Sequence, residues 1–175
     1  MFAAMKTAWA RHQLKDPSYT YLFDGHPDEY VSVDCETTSL DPKKAEVLSI
    51  GAVKMRGNRI LTSESFYTLV KPKGILEGAN VSVHGLRPMD VSQGVPPLEA
   101  VKAFLDFAGG RPLVGYYIAY DAAVLNKYVK QLIGIHLPNP KIEVSGLYYD
   151  WQLKKNPEAY IDLHLQNILD GLNIP

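Results

Sequence analysis

Cysteine is nearly missing from this chain: Cys35 is the only one in 175 residues. That excludes an intramolecular disulfide and a zinc cluster built from cysteines, and it fits a reducing, cytoplasmic setting. Long hydrophobic runs are missing too. Nothing approaches the ~18 consecutive apolar residues of a membrane span. The N-terminal stretch MFAAMKTAWARHQLKD breaks its apolar residues with Lys6, Arg11, His12 and Lys15, so it lacks the continuous apolar core of a signal peptide. Charge of either sign is balanced, at a net −1. A protein that coats nucleic acid along its length is usually basic. A protein that grips only a strand end through metal ions need not be. The length suits one domain with a substantial core.

What is present reads as alternating elements. Residues 3–14 form a helical pattern, with Phe2, Met5, Trp9 and Leu14 along one side. Asp16-Pro17 and Asp24-Gly25-His26-Pro27 mark loops. Tyr30-Val31-Ser32-Val33 is a strand running into Asp34-Cys35-Glu36-Thr37-Thr38, and residues 46–55 and 60–70 are two more, the last pair joined by turn chemistry at Arg56-Gly57-Asn58-Arg59. Three consecutive strands with a tight turn imply an antiparallel meander. Residues 75–95 read as irregular. Pro96-Pro97 opens a helix to Ala108, and Pro112 to Gly115 is a short buried strand. Helices are expected from Asp121, over 144–154 and over 161–171. This order is an α/β layer architecture with a mixed sheet. There is no internal repeat and no dividing linker.

Asp34 and Glu36 stand two apart at the end of the first strand, so period two sets both side chains on one face. Paired carboxylates repel each other, and burying them unpaired is costly. A divalent cation resolves both problems, and oxygen ligands suit Mg²⁺ or Mn²⁺. A surface-facing acidic pair at a strand end is the competing use. Asp121, following the stretch Leu113 to Tyr120, is either a helix N-terminal aspartate or a third metal ligand. Three carboxylates could hold two ions about 4 Å apart for an in-line phosphoryl displacement.

At these residues the chain resembles the DnaQ-like, or DEDD, exonucleases, whose members include the proofreading epsilon subunit of bacterial replicative DNA polymerase. VSVDCETTSLDPKKAEVLSIGAVKM resembles the first motif of that family, VHGL at 83–86 its V-H-G-I loop, and LVGYYIAYDAAVLN its second acidic motif, usually L-V-G-H-N-I-x-F-D-x-x-x-L. The resemblance spans residues 30 to 175 in order. It implies a ribonuclease H-like fold, a mixed five-stranded sheet flanked by helices. It implies metal-dependent 3′→5′ hydrolysis at the end of single-stranded DNA or RNA. Asp34, Glu36 and Asp121 would be the catalytic metal carboxylates, holding two Mg²⁺ or Mn²⁺ ions in the intact enzyme. Thr37 and Leu40 would contact the terminal nucleotide, the leucine wedging against its base, with His84 flanking the same pocket. Tyr116-Tyr117 stands where the family usually has His-Asn, so Tyr117 becomes a substrate-contact candidate of different reach. Likeness to a polymerase subunit does not by itself imply polymerase binding.

The third motif of the family, His-x4-Asp or in a sister branch Tyr-x3-Asp on a late helix, is not found: four residues after the late tyrosines Tyr148, Tyr149 and Tyr160 stand Gln152, Leu153 and His164. Five residues after His12, His26, His84, His136 and His164 stand Pro17, Val31, Met89, Lys141 and Leu169. The expectation is therefore a helical arm over 1–28 and an exonuclease domain over 29–175 that lacks the final helix carrying that motif. Two alternatives stay open: a catalytically incomplete module that binds nucleic-acid ends, and a haloacid-dehalogenase-like phosphatase. The latter would want Asp-x-Asp-x-Thr where this chain has Glu36.

Overall fold

The computed structural model describes residues 2–74 and 85–174, with side chains from Thr7 onward. Its centre is a five-stranded sheet built from β1 (Glu29–Thr37), β2 (Val47–Arg56), β3 (Arg59–Leu69), β4 (Leu113–Gly115) and β5 (Lys141–Glu143), in the order β3-β2-β1-β4-β5. β1, β2 and β3 pair antiparallel, whereas β4 runs parallel to β1 and β5 parallel to β4. The mixed sheet is the one expected. Gly57 opens the two-residue β2–β3 turn at a φ of 54°, a left-handed conformation open to glycine at little cost.

The helices are α1 (Phe2–His12), α2 (Pro88–Ser92), α3 (Pro97–Ala108), α4 (Ile118–Ile133), α5 (Val144–Lys155) and α6 (Leu165–Gly171), with a 3-10 helix over Pro17–Phe23. β1 alternates as its sequence demands. Val31, Val33 and Cys35 are buried, whereas Ser32, Asp34 and Glu36 face a more open side. Ala100, Val101, Phe104, Leu105 and Ala108 of α3 join Val124, Leu125, Val129 and Ile133 of α4 in the main core. Each fully buried valine, leucine, isoleucine or phenylalanine among them contributes about 1.5–3 kcal/mol. Gly134, at a φ of 82°, ends α4.

Several elements differ from the sequence expectation. Residues 17–23, given no element from sequence beyond the loop marked at Asp16-Pro17, are helical: Asp16 accepts the N–H of Ser18 at 2.9 Å, and Tyr19 and Leu22 are buried in the main core. α2 interrupts a segment read as irregular, because the Asp90 carboxylate accepts both the N–H and the guanidinium of Arg87 at the helix start. The helix expected over 161–171 starts only at Leu165, since Asp162 takes the N–H of His164 at 2.9 Å in a turn of its own. β5 is three residues long and exists through its pairing with β4, which no local pattern announces. Among the described residues no helix is long and apolar enough to cross a membrane.

Candidate active site

The site begins where the sheet runs out. β1 pairs with β4 only at Val31↔Leu113 and Ser32↔Val114. Beyond that point the β4 side of β1 has no strand, and its backbone groups need other partners. The first turn of α4 supplies one: Asp121 Oδ1 accepts the N–H of Cys35 at 3.0 Å. Cys35 lies between Asp34 and Glu36, so the late carboxylate is anchored to the peptide between the two early ones. α4 starts three residues earlier than expected, at Ile118, which sets Asp121 inside the first turn rather than at its start.

Asp121 is 4% exposed. Burial, and after it the charge of Asp34, push its carboxyl up to about 6 from the ordinary 3.8, against the pull of the Cys35 N–H. Asp34 is exposed, at the mouth of a cleft of about 410 Å³ on the open sheet face that Glu36 also lines. Across that face Asp34, Gly51 and Tyr67 fall in one row of the register. Gly51 leaves the middle of the row without a side chain. Leu86 lines the cleft from outside the sheet.

Asp34, Glu36 and Asp121 offer only oxygen donors, the set that suits a hard divalent cation. Among the described residues, however, no three His, Cys, Asp or Glu side chains converge closely enough to hold one ion. The anchored pair fits a cation in its electrostatics: the charge next to the buried Asp121 is another carboxylate, which a bound cation would neutralise.

Of the other sequence candidates, Thr37 Oγ1 bonds the carbonyl of Ser39 at 3.1 Å and the hydroxyl of Tyr120. Leu40 is 89% exposed on the loop after β1. Tyr117 is 67% exposed and left-handed at φ 56°, ψ 33°. Its ring meets Tyr116 edge-on at 4.9 Å, while Tyr116 donates its hydroxyl to the Leu163 carbonyl at 3.0 Å. His84 lies outside the described residues.

Glu143 is a site residue that sequence reading missed. From the end of β5 it accepts the N–H groups of Tyr117 and Ile118, each at 3.1 Å, so it caps the N-terminus of the helix that carries Asp121. The same carboxylate accepts the N–H and hydroxyl of Ser145 and opens α5. The second role was legible locally, as an acidic residue two before a serine at a helix start. The first joins residues 26 apart.

The model of the exonuclease family, RNase_T, matches residues 31–174. The chain belongs to this exonuclease family. As a member it is 34% identical over 122 residues to the DNA polymerase III subunit epsilon of Aquifex aeolicus, covering 69% of this chain and 57% of that protein. It is 30% identical over 159 residues to the PolC-type DNA polymerase III of Clostridium perfringens, covering 87% of this chain and 11% of that protein. The exonuclease-family chain thus spans just over half of the first relative and about a tenth of the second. Escherichia coli exonuclease I, solved with a dT13 oligonucleotide, superposes with a TM-score of 0.68 at 12% identity, over 85% of this chain and 36% of that one. That likeness shows a shared fold. The family membership removes the phosphatase alternative, and the expected kinship with the epsilon subunit holds.

Proposed function

We propose that this chain is the catalytic part of a metal-dependent 3′→5′ exonuclease that releases nucleoside monophosphates from single-stranded 3′ ends, of DNA or RNA. The observation that carries the reading is the anchoring of Asp121 on the Cys35 N–H, between Asp34 and Glu36. Asp34, Glu36 and Asp121 would hold Mg²⁺ or Mn²⁺. A cation there would act as Lewis acid on the scissile phosphate. The residues of the chain do the rest. The Cys35 N–H fixes the direction of the Asp121 carboxylate. Glu143 fixes the turn that delivers it. Thr37, Leu40, His84 and Tyr117 are assigned to the terminal nucleotide, with exposed Tyr117 offering a face on which a base can stack. Residues 29–175 are assigned to this domain and residues 1–28 to an arm before it.

No His-x4-Asp occurs in the sequence, and no Tyr-x3-Asp follows Asp121. Positioned acid–base catalysis typically contributes about 10²–10⁴-fold, so turnover by these residues alone is expected to be slow. The test uses a single-stranded oligonucleotide labelled at its 5′ end, incubated with the protein in Mn²⁺. A descending ladder with mononucleotide release is expected, and chelator or Asp34→Ala should stop it. Full activity in that variant, or in chelator, would overturn the assignment.

The lack of a convergent three-ligand group among the described residues favours a second reading, a module that binds 3′ ends without cutting them. Tight binding in Mn²⁺ with no mononucleotide over long incubation would select it.

A further inference from the structure

The loop that carries Leu40 is shaped by its own bonds. Thr38 and Glu46 exchange bonds across its base: the Thr38 N–H donates to the Glu46 carbonyl and the Glu46 N–H to Thr38 Oγ1, both at 2.9 Å. Within it, the N–H groups of Lys44 and Ala45 donate to the Asp41 carbonyl at 3.0 and 2.8 Å, making one helical turn. None of these bonds says where the loop sits relative to Asp121.

Two side chains of α4 do. The Tyr120 hydroxyl donates to the Ser39 carbonyl and shares a hydrogen bond with Thr37 Oγ1. Seven residues on, and so on the same face of the helix, Lys127 Nζ donates to the carbonyls of Pro42 at 3.3 Å and Lys43 at 3.4 Å, and to that of Ala45. Those carbonyls form the C-terminal end of the helical turn, where partial negative charge collects and a cation with three donors fits.

We propose that Tyr120 and Lys127 are positioning residues: together they clamp the Leu40 loop to the helix of Asp121 and so set the terminal-nucleotide site against the acidic groups. The inference rests on the exonuclease reading and deepens it. An exposed leucine contributes to binding only if its backbone is already held, because ordering the loop on contact would offset the gain. Tyr120 is next to Asp121 in the chain, so one turn of α4 holds both the carboxylate and the loop.

The experiment measures affinity for a 5′-fluorescein oligothymidylate with a free 3′ hydroxyl and a phosphorothioate last linkage, in Mn²⁺, alongside Mn²⁺ affinity by direct titration. Tyr120→Phe and Lys127→Met are each expected to weaken oligonucleotide binding about 3- to 10-fold, the range for losing one or two hydrogen bonds, with Mn²⁺ affinity unchanged. Lys127→Arg should recover most of the loss. Leu40→Ala added to Tyr120→Phe should cost less than the two alone combined, since both act through one loop. Tyr120→Phe is nearly isosteric and stays informative if Lys127→Met fails to fold. Unchanged oligonucleotide affinity in Tyr120→Phe, or an equal loss of Mn²⁺ binding, overturns the clamp. A wild-type chain that binds neither Mn²⁺ nor the 3′ end overturns the exonuclease reading and the clamp with it, whereas wild-type binding of both with unaffected variants overturns the clamp alone.

Discussion

The carboxylate of Asp121 hangs from the N–H of Cys35 at 3.0 Å, 86 residues away in sequence. That bond forms where β4 has ended and no longer offers the Cys35 N–H of β1 a strand partner. It holds a buried acid beside Asp34 at an electrostatic cost to the metal-free protein, and that cost can be measured.

Asp121→Asn keeps an oxygen that can accept from Cys35 and removes the charge. The metal-free variant should be more stable than the parent at pH 8 by about 2–3 kcal/mol, following the upward shift of the acid. It should also lose Mn²⁺ binding. Urea unfolding without metal, beside a Mn²⁺ titration, reads both. A variant that is less stable and still binds Mn²⁺ contradicts the assignment.

The same group sets a pH dependence. Its carboxyl titrates near 6 in the folded protein against an ordinary 3.8, so the folded state binds this proton more tightly than the unfolded one. The resulting stability is complete below pH 4 and is lost as pH rises through 6. Over that window the metal-free melting temperature should fall more in the parent than in Asp121→Asn. Mn²⁺ should raise it far more at pH 8 than at pH 5, because the metal competes with the proton. A thermal melt series at constant ionic strength checks this. Equal Mn²⁺ stabilisation at both values would count against a metal on Asp121.

Glu143 supports a strained start to α4. Glu143→Ala strips acceptors from the N–H groups of Tyr117, Ile118 and Ser145 and should cost about 1–2 kcal/mol. Tyr117 is a non-glycine residue at φ 56°, a conformation that asparagine tolerates better and that costs others about 1–2 kcal/mol. Tyr117→Asn should therefore raise stability by up to about 1 kcal/mol while weakening oligonucleotide binding, if the ring stacks on a base. Chemical denaturation separates the two variants by sign.

Leu40 should affect binding and not folding. At 89% exposure, Leu40→Ser should shift unfolding by no more than about 0.5 kcal/mol, as surface substitutions do. It should still weaken affinity for a 3′ end several-fold. A loss of stability would make the leucine a structural residue.

Much of this protein could be read from local pattern. The alternation of Val31, Val33 and Cys35 with Ser32, Asp34 and Glu36 set the two faces of β1, because successive side chains in a strand must point opposite ways. The turn at Gly57-Asn58 and the helical spacing of α3 followed from equally local rules. The motif around Asp121 brought the third carboxylate into view as a candidate. What residue order left open was every bond between distant partners. That Asp121 meets Cys35, that Glu143 rather than a neighbour caps α4, that three residues make β5, and that Tyr120 and Lys127 hold the Leu40 loop all depend on backbone groups left unpaired elsewhere in the sheet and loops. Such groups take whichever partner the packed core brings within reach, so only the tertiary structure could decide them.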